Sequence, residues 1–194
     1  NSTGLAKKIF TLSDTMYCYM SKKLEPLSYI KYAHEGSDHT QELINYNYSS
    51  GNINVHTKLT RNEKLRYDTI ISSNNCIYDM MSVVYYVRTL DYTLMKIGDS
   101  KDCLLISGKT KVNMKIKYGG TEELEANDGN KYDCVILTLI ISDKAFEDKK
   151  EAMKIYITND NNRIPVRINS KLKIGSNYVL LKKIEGNKHP LKKN

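Results

Sequence analysis

The sequence predicts an all-β protein: a strongly curved antiparallel sheet or incomplete β-barrel, with one principal helix covering an open end. Three observations support this prediction. Short runs that alternate apolar and polar residues recur along the chain, and turn signals such as "SSGN", "YGGT", "NDGN" and "IGSN" separate them. One stretch, "NNCIYDMMSVVYYVRTLDY" at 74–92, instead spaces its apolar residues at the period of a helix.

The first part of the chain predicts two hairpins. The run 7–20 is rich in β-branched and aromatic residues, and "SKKLEP" turns it into "LSYIKYAHEG". "TQELINYNYS" and "INVHTKLT" flank "SGN", and Ile53, Val55 and Leu59 share one face of the second run. "KLRYDTII" continues this hairpin as a further strand.

The remaining strands follow the helical stretch. They begin with "CLLISG" and "KVNMKIKY", and "NDGN" then leads into "YDCVILTLIIS", the most apolar run and the predicted central strand. A charged loop at 143–151 precedes "AMKIYITND", and the last pair is "IPVRINSKLKIG" and "NYVLLKKIEG". We expect a single β-barrel-like domain over 1–186 and a polar C-terminal tail over 187–194.

The helical stretch predicts one amphipathic helix near 79–90. Asp79 can accept hydrogen bonds from the free N–H groups at its start. An apolar stripe follows, which predicts one buried face; its members are Met80, Val83, Val84, Val87 and Leu90. The helix either plugs an end of the sheet or forms a lid over a pocket.

The composition of the chain restricts the classes of partner that the sequence favours. The net charge of +8 and the pI near 9.1 suit an acidic partner, but the lysines alternate along strands as on a solvent-facing sheet. The 15 tyrosines also alternate along strands or lie on the helix, which disfavours nucleic acid. No apolar run approaches the roughly 20 residues that a transmembrane helix needs. The four scattered cysteines predict buried free thiols.

Local motifs give no metal, cofactor or catalytic residue. In "HEGSDH", His34 and His39 would lie far apart around a helix, so the segment predicts a polar turn. "SGKT" lacks the glycine and the helix of a phosphate loop, and "NDNNR" lacks the glycine and glutamate of a calcium loop. No serine or cysteine can be tied to a histidine, so an enzyme stays open without a named residue.

A resemblance covers nearly the whole chain. "FTLSDTMYCYMSKKLEPLSYIKYAHEG", "YDMMSVVYYVRTLDY" and "YITNDNNRIPVRINSKLKIGSNYVLLKKIEG" resemble the DUF3108 family of exported bacterial proteins of unknown function, common in Bacteroidetes and proteobacteria. The resemblance implies a periplasmic or outer-membrane-associated protein with a signal peptide and a YmcC-like envelope fold. The family's early G-E-x-L-x-Y motif is missing, and Asn1 in first place suggests a processed or shortened chain.

Three functions follow from this reasoning. The first is an envelope protein that binds an amphiphilic lipid or a glycan in the concave face of its sheet. The second is an envelope assembly module that uses an edge strand or its basic face, and the third is an envelope polysaccharide hydrolase. We expect at least one of Arg88, Arg163 and Arg167 to hold a carboxylate by a bidentate pair. The candidate ligand-binding residues are Tyr78, Tyr85, Arg88, Arg163 and Arg167.

Overall fold

The computed structural model describes residues 12–49, 51–142, 151–171 and 176–191. The predicted start of the first strand at 7–11, most of the charged loop at 143–151 and the last three residues of the predicted tail lie outside these described residues. Within them, no helix has the length and apolar character needed to cross a membrane.

Strands dominate the described residues. The strands are β1 (Leu12–Met20), β2 (Pro26–Glu35), β3 (Asp38–Ser49), β4 (Asn52–Arg61), β5 (Lys64–Ser73), β6 (Ile77–Tyr78), β7 (Ser100–Ser107), β8 (Thr110–Glu125), β9 (Lys131–Ile141), β10 (Met153–Thr158), β11 (Pro165–Lys171) and β12 (Ser176–Leu180). The helix α1 (Ser82–Tyr86) continues into a 3-10 turn (Val87–Thr89).

The strands form two sheets. Sheet A is an antiparallel meander in the order β1-β2-β3-β4-β5, and sheet B has the order β12-β11-β10-β9-β8-β7-β6. Sheet B is a strongly curled half-barrel, and its short strand β6 pairs in parallel with β7. The predicted fold class, a curved β structure with one principal helix, is therefore confirmed. The covering role of that helix stays a prediction.

The chain divides into two compact units, 1–83 with 104–111 and 84–103 with 112–194. In the first unit, alternate residues of sheet A point to one face and are buried with residues of β6 and β7. This core contains Tyr29, Ile44, Tyr46, Val55, Ile77 and Ile106. The other face is exposed, as the period of two in an antiparallel sheet requires.

The second unit centres on β9, which lies between β8 and β10 as a central strand should. Its apolar run is buried on both faces. Leu137, Leu139 and Ile141 point to one face, whereas Tyr132 and Cys134 pack on the other with Tyr156, Val166 and Ala126. The prediction of a central strand from "YDCVILTLIIS" is confirmed.

The helix begins as predicted but ends early. Oδ1 of Asp79 accepts hydrogen bonds from Met81 N at 2.9 Å and Ser82 N at 2.8 Å, so the predicted cap is confirmed. Regular α-helix ends at Tyr86, because β-branched and aromatic residues are only moderate helix formers and the chain then tightens into the 3-10 turn. The predicted buried stripe is confirmed at Val83, Val84 and Val87.

The four cysteines are free thiols. Cys103 and Cys134 are buried as predicted, but Cys18 is half-buried and Cys76 is exposed. The prediction of four buried thiols is wrong at Cys76 because this residue falls in the bend between β5 and β6, outside any apolar strand face.

Candidate functional site

The candidate site is a cleft of about 630 Å³ in the second unit, which we call the Arg163 cleft. This volume lies within the usual range of ligand pockets. Its walls mix amides, hydroxyls, one carboxylate, aromatic rings and a few apolar groups. The lining residues are Tyr92, Thr93, Met95, Tyr118, Thr121, Val135, Thr158, Asn159, Asp160, Asn161, Arg163, His189 and Pro190.

One wall is the tight turn that joins β10 to β11, with the sequence "TNDNNRI". Oδ1 of Asp160 accepts hydrogen bonds from Thr158 Oγ1 and Asn162 N at 2.8 Å each and from Arg163 N at 3.1 Å. Thr158 Oγ1 also accepts from Ile164 N at 2.8 Å. Asp160 therefore organises the turn from within, as aspartate does in Asx turns.

Asn162 fastens the C-terminal segment to this turn. Its amide nitrogen donates to the His189 carbonyl at 2.9 Å and to the Pro190 carbonyl at 3.4 Å, and its amide oxygen accepts from His189 N at 2.9 Å. Asn162 is 7% exposed. Part of the segment that the sequence marks as a polar tail is therefore held in place and lines the cleft.

Arg163 is held by its backbone and by its side chain. Its φ of 49° lies in the left-handed region, which costs about 1–2 kcal/mol for a residue with a Cβ. Its guanidinium lies 5.0 Å from the centre of the Tyr92 ring, and Nη1 donates to the Arg88 carbonyl at 3.3 Å. One of its five N–H donors has this partner, so others stay available to a ligand.

Two tyrosines continue the wall beside Arg163. The rings of Tyr92 and Tyr118 stack with centroids 5.9 Å apart. The Tyr92 hydroxyl donates to the Val87 carbonyl, and burial raises the pKa of Tyr92, so this ring stays neutral. Tyr118 stands beside a β-bulge at which Gly120 has a φ of 87°, and the bulge brings Thr121 to the same face.

Arg88 lies in a second cleft of about 490 Å³ on the other side of the same turn. Its Nη2 donates to the Asn162 carbonyl at 3.0 Å, and its guanidinium lies 5.8 Å from the centre of the Tyr85 ring. Asn161 and His189 line both clefts. The turn therefore separates two neighbouring depressions, each with an arginine in its wall.

The structure brings three of the five predicted ligand-binding residues together: Arg88, Arg163 and Tyr85. Tyr78 is buried in the first unit, and Arg167 lies on β11 opposite Tyr156. The prediction that Arg88, Arg163 or Arg167 holds a carboxylate is wrong for the described residues, in which these three arginines form no ion pair. Arg88 and Arg163 both donate to backbone carbonyls instead: Arg88 to the Asn162 carbonyl of the β10–β11 turn, and Arg163 to the Arg88 carbonyl in the 3-10 turn after α1.

Sequence reasoning missed most of the other cleft residues. "NDNNR" predicted only a strand-ending turn. An aspartate in such a segment also indicates an Asx turn, in which its carboxylate accepts a hydrogen bond from the backbone N–H two residues later. Tyr92 follows the helical stretch and gave no signal of its own. Tyr118 and Thr121 share a face only because of the bulge, which the alternation of "KVNMKIKY" does not predict.

One carboxylate lines the cleft, and two of the thiols lie elsewhere in the described residues. Among the described lining residues Asp160 supplies the carboxylate, and its Oδ1 is bonded to the turn. Burial raises the pKa of both Cys18 and Cys134 to about 12, so these thiols stay protonated at neutral pH and are poor nucleophiles. Among the described residues, no group of three or more histidines, cysteines or carboxylates could hold a metal ion.

One family model matches the chain, over residues 1–182 of 194, and its description is "Protein of unknown function (DUF3108)". No curated protein and no solved structure gives a significant match. Since the family model spans far more than half of the residues, the chain belongs to the DUF3108 family.

Proposed function

We propose that this chain is an exported cell-envelope protein that binds a glycan in the Arg163 cleft and catalyses no reaction on it. The observation that carries the proposal is the fixed guanidinium of Arg163 beside the stacked rings of Tyr92 and Tyr118. Aromatic surface suits the C–H faces of a sugar, while a guanidinium with remaining donors suits its hydroxyl or acidic oxygens. The expectation of export rests on the family resemblance in the sequence.

The rest of the lining supports a sugar rather than an acyl chain. Asn159 and Asn161 offer amides, and Thr93 and Thr121 offer hydroxyls, so polar partners are spread around the wall. A fatty acyl chain needs a continuous apolar surface, because each polar group that it covers loses its hydrogen bonds to water. A glycan instead exchanges those bonds for new ones.

Rigidity also favours binding. The turn that carries Arg163 is closed by several hydrogen bonds to Asp160 and Thr158. The Arg163 guanidinium is already ordered by its contacts with the Tyr92 ring and the Arg88 carbonyl. A ligand therefore meets a side chain whose conformational entropy is already largely lost, which lowers the cost of binding.

The test is a titration followed by two-dimensional amide NMR. The probes are soluble glycan fragments of bacterial envelopes: a peptidoglycan disaccharide, a deacylated lipopolysaccharide core and a uronate oligosaccharide. We expect saturable shifts around Arg163 and Tyr118 with at least one probe. Arg163→Gln should weaken that binding by about tenfold or more, equal to about 1.4 kcal/mol.

The matched control is Arg66→Gln, which removes the same charge at an exposed position of the first unit. Equal weakening in both variants would attribute the binding to net charge and contradict the proposal. Saturable binding of a lysophospholipid in the cleft, with no response to any glycan, would favour the lipid ligand instead. Fractionation of the native host tests export, because a cytosolic protein contradicts that part of the proposal.

The assembly module is a second candidate, favoured by one observation. Among the described strands β1 is the terminal one of sheet A, and its residues Tyr17 and Tyr19 are 48% and 55% exposed. An edge strand can pair with an extended segment of another protein. If this is its function, light scattering should show self-association or complex formation that Tyr17→Lys abolishes, and a monomer at all concentrations without envelope partners in crosslinking would contradict it.

A further inference from the structure

Two histidines face each other across the β2–β3 hairpin. His34 and His39 are directly opposite in the register, and Glu35 and Asp38 close the hairpin after them. The two imidazole rings are exposed and meet edge to face, with centroids 4.6 Å apart. Their Nδ1 atoms are 2.5 Å apart. The hairpin therefore aims two ring nitrogens at one point.

This separation is that of a short hydrogen bond, in which Nδ1–H of one ring donates to Nδ1 of the other. When both rings carry their proton on Nε2, the two Nδ1 lone pairs are free for a shared metal ion, which takes the place of the bridging proton. A metal ion bound at about 2.0–2.1 Å from each nitrogen would hold the pair about 2.9–3.4 Å apart at angles of 90–110°. Small rotations of the two rings that lengthen the Nδ1–Nδ1 distance by less than about 1 Å are therefore sufficient for a metal ion to bind between them.

We propose that His34 and His39 form a two-histidine site for a divalent transition-metal ion, with Zn²⁺ and Cu²⁺ as the best-suited ions. Imidazole nitrogen is a preferred ligand of both ions. No third histidine, cysteine or carboxylate joins the pair among the described residues, so water or a bound molecule completes the coordination. The site is independent of the Arg163 cleft and of any glycan binding there.

The neighbouring turn between β4 and β5 braces the hairpin. His39 N donates to Asn62 Oδ1 at 2.8 Å, and Asn62 N donates to the His39 carbonyl at 2.8 Å. Asn62 Nδ2 and the Arg61 guanidinium both donate to the Asp38 carboxylate. These contacts fix the backbone of His39, so the metal meets a largely preorganised pair.

The two carboxylates beside the pair differ in their contacts. Asp38 accepts hydrogen bonds from Arg61 and Asn62, so the positive charge of Arg61 offsets its own and it is not a ligand. Glu35 lies next to His34 in the chain and is exposed, so it supplies negative charge beside the ring nitrogens.

The spacing of five residues counts against a metal site in "HEGSDH" only if the segment is a helix, and here it is a hairpin. Residues five apart lie on different sides of a helix, but in this hairpin they are directly opposite. The polar turn itself is confirmed, with Gly36 at a φ of 64° between the strands. The same turn that the sequence predicts therefore creates the pair.

The first experiment is a Zn²⁺ titration of the whole chain at pH 7.5, followed by the ring signals of its four histidines in a ¹H–¹³C spectrum. A Cys76→Ser background removes the exposed thiol, which would compete for zinc. We expect the signals of His34 and His39 to shift together and to saturate at one equivalent. Equal, non-saturating shifts at His56 and His189 would overturn the proposal.

The second experiment compares variants by calorimetry with Zn²⁺ and Cu²⁺. His34→Gln and His39→Gln should each weaken binding by at least about tenfold, and His56→Gln, also exposed on sheet A, should leave it unchanged. Unchanged affinity in the double variant at His34 and His39 would overturn the proposal.

Discussion

The buried carboxylate of Asp79 should be one of the most sensitive positions in the first unit. Asp79 is 1% exposed, and it accepts hydrogen bonds from two backbone N–H groups at the start of α1 and from the Tyr46 hydroxyl at 3.1 Å. Ser82 returns a reciprocal contact, since its Oγ accepts from Asp79 N at 2.9 Å. One side chain therefore joins the helix start to β3.

The structure gives the size of the expected effect. Replacing a capping aspartate with alanine costs about 0.5–2 kcal/mol. Leaving the buried hydroxyl of Tyr46 without its acceptor costs a further 1–3 kcal/mol or so. We therefore expect Asp79→Ala to lower the free energy of unfolding by about 1.5–5 kcal/mol. Tyr46→Phe should lower it by about 1.5–3 kcal/mol, because the lost hydrogen bond ends on a charged group.

A double-mutant cycle separates the two contributions. The chain contains no tryptophan, so urea unfolding is followed by the near-ultraviolet circular dichroism of its tyrosines. The double variant should be less destabilised than the sum of the single variants by about 1–2 kcal/mol, because both remove the same bond. Asp102→Ala, at an exposed ion pair, is the control and should change little. Additive single effects would refute the reasoning.

Four further predictions concern other parts of the chain. Asn162→Ala should lower the unfolding free energy by about 2 kcal/mol and speed tryptic cleavage of the C-terminal segment, since three hydrogen bonds hold that segment; unchanged cleavage would contradict this. Leu137→Ala should cost about 2–5 kcal/mol in urea unfolding, whereas Leu94→Ala, at an 87% exposed side chain, should cost under about 0.5 kcal/mol. Burial raises the pKa of Glu42. Its ionisation therefore destabilises the fold as the pH rises through and above the pKa that Glu42 has in the unfolded chain. Glu42→Gln should stabilise the protein at pH 7 and have no such effect at a pH below that unfolded-state pKa. Arg163→Gly should change the unfolding free energy by less than about 1 kcal/mol yet abolish ligand binding, because relief of the left-handed strain offsets the lost contacts.

The sequence predicts the strands well because each sheet has at least one buried face. The run from Tyr132 to Ile141 is a central strand, and its continuous apolar character follows from burial on both sides. Alternation in β4 also matches the structure, where Val55 is buried and the neighbouring His56 is not. The division into two sheets could not be predicted, because periodicity gives the faces of a strand and not its partners.

The sequence predicts the candidate site only in part, for a similar reason. Arg88 and Arg163 were selected as charged residues at the end of the helix and in the part of the chain that resembles the family. Their joint position depends on contacts between residues about 75 apart in the chain, and no local pattern encodes such contacts. The histidine pair was missed because the distance between His34 and His39 depends on whether the segment is a helix or a hairpin.

The backbone of Arg163 supplies a further argument for a ligand at the cleft. Glycine or asparagine would adopt a φ of 49° at less cost, and asparagine does so at Asn62, with a φ of 50°. A turn that only ended a strand would gain stability from either residue. Strained backbone tends to persist where the side chain has a function of its own. The Arg163 side chain contacts Tyr92 and the Arg88 carbonyl, yet these contacts together are worth about as much as the strain. Since the folded state gains little from arginine here, a bound ligand is the simplest source of the remaining advantage.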